Sequence, residues 1–197
     1  MGGAIPNEEF VFYLAGFMLV LLSYIWCDEY WMAAYNVPDY TAAAKGIARI
    51  VYFHFASVAL GAVLIAAAIV YRNFLSGAPD GFPWYFIYLV CASIIPSAGF
   101  FHTAQPFINW RAFSFTFFLL LLISLLWEVT LALPYGWWEY RTGSLMGLHI
   151  GAWSGLPIEA VCVWFAVSFT AIITYEVIKI WKALGTRALE AFFGIRK

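Results

Sequence analysis

Residues 112–134 read AFSFTFFLLLLISLLWEVTLALP, an apolar run of 23 residues that holds one ionisable side chain, Glu128, and closes on Pro134. A helix rises 1.5 Å per residue, so about 17–25 apolar residues are enough to cross the hydrocarbon of a bilayer. Four more stretches share this character, at 8–27, 48–71, 83–104 and 157–181. The expected fold is all-α: a polytopic transmembrane helical bundle of about five spans, making one integral membrane domain over 1–197.

Composition excludes the soluble classes. The chain is 64% hydrophobic, 21% aromatic and 11% charged, with a mean hydropathy of +0.85, whereas soluble proteins carry roughly 25% charged residues. The first stretch does not read as a cleavable signal peptide, because acidic residues precede it where a basic flank belongs. Loops on one side of the expected membrane carry only Arg72 and Arg141. The other side carries Lys45, Arg49, Arg111, Lys179, Lys182, Arg187, Arg196 and Lys197. The positive-inside rule then places the N-terminus outside and the C-terminus in the cytoplasm. Residues 183–197 mix Leu184, Leu189, Phe192, Phe193 and Ile195 with basic residues, as an amphipathic cytoplasmic tail on an anionic leaflet does. Nothing else in the chain supports binding of nucleic acid, and no such partner is expected. Cys27, Cys91 and Cys162 lack any CxxC spacing and read as small buried hydrophobes.

A short motif occurs twice, 151 residues apart. Ile5-Pro6-Asn7-Glu8-Glu9-Phe10 opens the first apolar stretch and Leu156-Pro157-Ile158-Glu159-Ala160-Val161 opens the last. The register continues, with Ala15 falling on Ala166 and Tyr24 on Tyr175. Proline at a first helical position and a carboxylate in the first turn also describe two ordinary helix starts. The depth of the acids argues for more. Charge in hydrocarbon costs several kcal/mol unless paired or neutralised. The expected topology brings Glu8, Glu9, Glu128 and Glu159, from three helices, towards the outer side. Glu128 is the most deeply placed. A carboxylic acid kept neutral by burial beside ionised neighbours supplies a general acid and its conjugate base. The plainer alternative is that these acids cap helices and reach the interface.

Trp127, Trp137, Trp153 and Trp164, with Tyr135, Trp138 and Tyr140, gather on the same side. Many of them fit the ordinary interfacial belt, but aromatic faces also stabilise a cation without trapping it as a nucleophile would. His54, two turns into the second stretch, and His102, near the end of the third, are expected at similar depth on the cytoplasmic side. Two such imidazoles ligate a haem or metal ion in some proteins, and hydrogen-bonded structural histidines fit equally well.

The stretch from Trp127-Glu128 through Pro134-Tyr135-Gly136-Trp137, Gly147-Leu148-His149-Ile150-Gly151 and Leu156-Pro157-Ile158-Glu159 to Thr174-Tyr175-Glu176 resembles the membrane-integral lycopene cyclase domain family. The likeness covers about residues 120–178, with a weaker repeat at 3–26. It implies a membrane-embedded cyclase that protonates one end of a long apolar polyene and closes a ring without net redox change. No cofactor and no metal is expected for that chemistry. By the resemblance, Glu8 and Glu9 match both acids of the first Pro-x-Glu-Glu element, Glu159 the first acid of the second, and Glu128 the acid of a Trp-Asp pair. Ala160 stands where the family has a second acid, Glu128 has a longer arm than aspartate, and one helix fewer is expected than in the family's two three-helix repeats. These departures mark a divergent member, or one completed by a second membrane subunit or a homo-oligomer. The other readings are a carotenoid hydratase, and a non-catalytic membrane subunit that binds lipid, pigment or haem within a larger complex.

Overall fold

The computed structural model describes residues 7–32, 40–75, 83–137, 139–140 and 142–195. The elements in chain order are α1 (Asn7–Trp26), α2 (Tyr40–Ala44), α3 (Phe55–Val70), α4 (Trp84–Leu89), α5 (Ile95–Ala104), α6 (Trp110–Trp127), β1 (His149–Ile150), β2 (Leu156–Pro157), α7 (Ile158–Leu184) and α8 (Ala188–Phe193). Wide π-helical turns extend α1, α3 and α6, at Cys27–Trp31, Tyr71–Leu75 and Glu128–Ala132, and join α4 to α5 at Val90–Ile94. The turn at 90–94 leads into Pro96 at the start of α5. Proline cannot donate to the preceding turn, and a widened turn absorbs that missing bond.

Three helical runs are long and apolar enough to cross a membrane: Phe10–Trp31, Trp110–Ala132 and Ile158–Leu184. The two remaining expected spans are helical over 55–75 and 84–104, with a shorter apolar helix at Val58–Ala67 in the first of them. The second expected span does not begin at residue 48. Residues 48–54 are non-helical, because Ile50 N–H and Val51 N–H donate to the Ala191 and Phe192 carbonyls of α8 (2.8 and 3.0 Å) and Tyr52 N–H donates to Gly99 (2.7 Å). His54 accordingly precedes α3 instead of lying two turns inside it.

The bundle is built around α7. Of its apolar window 56% is buried, against 22% for the α1 run and 28% for the α6 run. Pro157, in an extended conformation, admits the chain to α7, and Gly185 in the left-handed region (φ 63°) ends it. Without a Cβ, glycine takes that conformation at little cost. Phe12 and Gly16 meet Trp164, Tyr24 meets Tyr175 and Asp28 meets Lys179, so α1 and α7 run parallel. Phe12 stacks on Trp127 while Tyr24 bonds Asn109, so α6 is antiparallel to both. Small residues allow close approach elsewhere: a Cβ on Gly61 of α3 would lie 2.7 Å from Ile95 of α5. Hydroxyls join α7 to the 84–104 helix, where Ser93 Oγ and Thr170 Oγ1 are 2.5 Å apart and Ser97 donates to Thr170 (2.9 Å). Such polar contacts replace the hydrophobic drive that lipid cannot supply between helices.

The short α8 sets Phe192 edge-on to Trp181 and Phe100, while Leu189, Phe193 and Ile195 stay exposed. The amphipathic tail is thus docked on the bundle along one face.

Candidate functional site

Antiparallel packing puts the C-terminal end of α6 and the N-terminal end of α7 at the same end of the bundle. Glu128 begins the wide turn after α6 and is buried. The Tyr140 hydroxyl donates to its Oε2, and the Trp164 indole N–H of α7 faces the same carboxylate as a donor. Tyr140 lies within electrostatic reach of Tyr85 on α4 and Tyr13 on α1, whose hydroxyls are 3.5 Å apart. The acid therefore takes donors from α7 and from the 135–157 connection, and Tyr140 links it to a pair of hydroxyls from α1 and α4. Burial, and then the adjoining Glu128, push the Tyr140 phenol above the usual tyrosine range.

Aromatic faces close one side. Phe12 stacks on Trp127 (5.8 Å, 24°) and meets Trp164 edge-on (6.1 Å), and Trp127 continues to Trp137 (6.0 Å) and then Tyr135 (6.2 Å). Trp164 is buried, whereas Trp137 is exposed. Trp153 lies apart from this ladder, against the small core of Leu125, Leu156 and Ala160.

Glu159 sits in the first turn of α7, where a carboxylate faces the positive end of the helix dipole. It is fully buried. Its Oε1 accepts from Met146 N–H at 2.5 Å, and its Oε2 has no hydrogen-bond partner among the described residues. The chain presents Met146 there because β1 and β2 pair antiparallel, His149 with Pro157 and Ile150 with Leu156, and Ile158 N–H donates to Leu148 (3.0 Å). Glu128 and Glu159 take their hydrogen bonds from different partners: Glu128 from Tyr140 and Trp164, Glu159 from the loop. Glu8 and Glu9 lie in the first turn of α1, and their side chains fall outside the described residues.

At the opposite end a second polar group was not singled out by the sequence reading. Tyr24 donates to Glu176 Oε1 (2.8 Å), and Asn109 N–H donates to the Tyr24 hydroxyl (3.1 Å). The Asn109 side chain donates to Asp28 (2.9 Å) and to the Met32 carbonyl (3.1 Å), while its oxygen caps α6 at Ala112. Lys179 bridges Asp28 (3.5 Å) and Glu176 (3.9 Å) and lies over Tyr40. The available signal was a carboxylate three residues before a lysine inside an apolar helix, with Asp28 at the 151-residue equivalent of that lysine. Also at this end, His54 and His102 are neighbours, with ring centroids 6.2 Å apart and planes 7° from parallel. Between α1 and α6 runs an apolar groove of about 410 Å³, lined by Leu22, Ser23, Trp26, Cys27, Phe115 and Leu119.

These features define a helical membrane protein with ionisable residues buried at both ends of its bundle. No family model, no curated protein and no solved structure matches the chain.

Proposed function

We propose that this protein is a five-span membrane enzyme, N-terminus outside and C-terminus cytoplasmic, that closes a ring at the end of a long apolar polyene by protonation. The observation that carries the reading is Glu128: a buried carboxyl group beside Tyr140 and Trp164, with Phe12 and Trp127 stacked alongside. An acid adds its proton to a terminal double bond. The resulting cation forms a carbon–carbon bond with the neighbouring alkene, and a base removes a proton to restore a double bond, leaving an isomer of the substrate. Glu128, Glu159, Glu8 and Glu9 are the proton-transferring residues of this proposal. Trp127, Trp137, Trp153 and Trp164 hold the polyene, and aromatic faces are worth about 2 kcal/mol or more to a desolvated cation. The chemistry requires no cofactor.

Co-expression with a lycopene-producing pathway tests it. Ring-bearing carotenoids are expected from the wild type, and none from Glu128→Gln in membranes holding the same amount of protein. Hydroxylated, unringed products would instead indicate that water traps the cation, which is the hydratase reading. Unchanged pigment with lycopene and shorter polyenes would refute the enzyme.

The nearly parallel His54 and His102 rings favour a second reading, a cofactor-binding membrane subunit. It requires a Soret band or bound metal in the purified protein that disappears in His54→Ala and in His102→Ala.

A further inference from the structure

The duplication in the sequence and the contact between α1 and α7 share one register. Tyr24 and Tyr175 are equivalent under the 151-residue shift, and their rings meet edge-on at 6.0 Å. Asp28 and Lys179 are equivalent under the same shift, and their charged atoms are 3.5 Å apart. Equivalent positions touching at two successive levels of a parallel helix pair is the arrangement of an isologous interface, in which a twofold axis runs between the helices. Here the two halves of that interface belong to one chain.

We infer that α1 and α7 form an internal pseudo-dimer and that Asp28 and Lys179, opposite charges at equivalent positions, decide which helix pairs with which. A pair of α1 helices from two chains would set Asp28 against Asp28. A pair of α7 helices would set Lys179 against Lys179. Only α1 with α7 joins opposite charges, and like charges held in contact at that level oppose the other two pairings. The discrimination has a purpose in assembly. The short α2, the helical segments 55–75 and 84–104, and α6 separate the two in sequence, so α1 enters the membrane well before its proper partner and meets copies of itself. Asn109 bonds Asp28, Glu176 reaches Lys179 from its own helix, and the Tyr40 and Tyr175 rings lie beside the ammonium. Glu176 lessens the repulsion between two Lys179 side chains, so the rule is strictest against α1–α1 pairing, where Asp28 meets Asp28.

Cys27, adjacent to Asp28 and on the flank of the seam that faces α6, provides the reporter, because α1–α1 pairing brings its two copies within the span of a short bifunctional thiol reagent. In a Cys91→Ala/Cys162→Ala background, membranes are treated with that reagent and thiol-linked dimers counted. The parent chain gives few. The neutral Asp28→Asn/Lys179→Gln variant raises the dimer fraction about fivefold or more, as loss of a typical coupling energy does. Asp28→Lys alone lowers the yield of membrane-inserted protein. Adding Lys179→Asp recovers yield and keeps the dimer fraction at the parental level, because opposite charges again face each other. The inference is overturned if the neutral variant forms no more Cys27-linked dimer than its parent, or if the charge exchange yields no more protein than Asp28→Lys alone.

Discussion

Replacing Tyr24 by phenylalanine isolates the worth of one buried hydroxyl. The ring keeps its edge-on contact with Tyr175, so packing is nearly unchanged. What disappears is a relay: Asn109 N–H loses its acceptor and Glu176 Oε1 loses a donor, both in residues with no exposed surface. Hydrogen bonds between membrane helices average about 0.6 kcal/mol with an upper end near 1.7. Two of them, with a carboxylate as one partner, predict a loss of about 1–3 kcal/mol. Ser168→Ala is the matched control. Ser168 Oγ is fully buried and has no hydrogen-bond partner among the described residues, so removing it should be neutral within about 0.5 kcal/mol or mildly stabilising. Reversible unfolding in mixed lipid–detergent micelles measures both. A Ser168→Ala cost equal to that of Tyr24→Phe would refute the hydrogen-bond account, as would a Tyr24→Phe variant indistinguishable from wild type.

Gly61→Ala should destabilise by about 1–3 kcal/mol in the same assay, because its Cβ would stand 2.7 Å from Ile95 Cγ1; pairing it with Ile95→Ala, which removes both clashing carbons, should recover part of the loss. Gly185→Ala should cost about 1 kcal/mol through the left-handed backbone alone, since nothing lies within 4 Å of the added carbon. For Tyr140 the folded phenol titrates above its unfolded value. Its contribution to stability is therefore complete below the ordinary tyrosine value near pH 10 and is lost as pH rises through the folded one. Tyrosinate absorbance should accordingly show one fewer delayed phenol in Tyr140→Phe than in the wild type; identical alkaline titrations of the two proteins would contradict this.

Much of the bundle was readable because hydrocarbon imposes a simple rule on sequence. The apolar runs at 8–27, 112–134 and 157–181 became helices to within a turn, and the register of the repeated motif reappeared as the register of touching helices. Residues 48–54 were misread for a reason local pattern cannot reveal: Ile50 and Val51 look like helix, but their amides are claimed by α8 at the far end of the chain. The acids were legible as costly charges, and Trp164 as an aromatic near them. Their partners were not. Met146 reaches Glu159 only as a backbone amide, and Tyr13 and Tyr85 are ordinary interfacial residues until the fold aligns their hydroxyls near Tyr140. Lys179 was counted only as positive charge on the cytoplasmic side, although the 151-residue shift pairs it with Asp28.

The wide turns have a consequence for how this chain tolerates insertion and deletion. Where Leu133 N–H reaches back five residues to Glu128, the spiral already holds one residue more than its regular pitch requires, and each residue in a helix turns the chain by about 100°. Removing one residue between 129 and 132 would tighten that turn to ordinary pitch and leave the segments on both sides in phase, so Tyr135 and Trp137 keep their places beside Trp127. Removing one from a regular turn of α6 has no such slack and swings everything beyond it by roughly a quarter of a circle. The wide turn is therefore the place at which this helix best tolerates the loss of a residue.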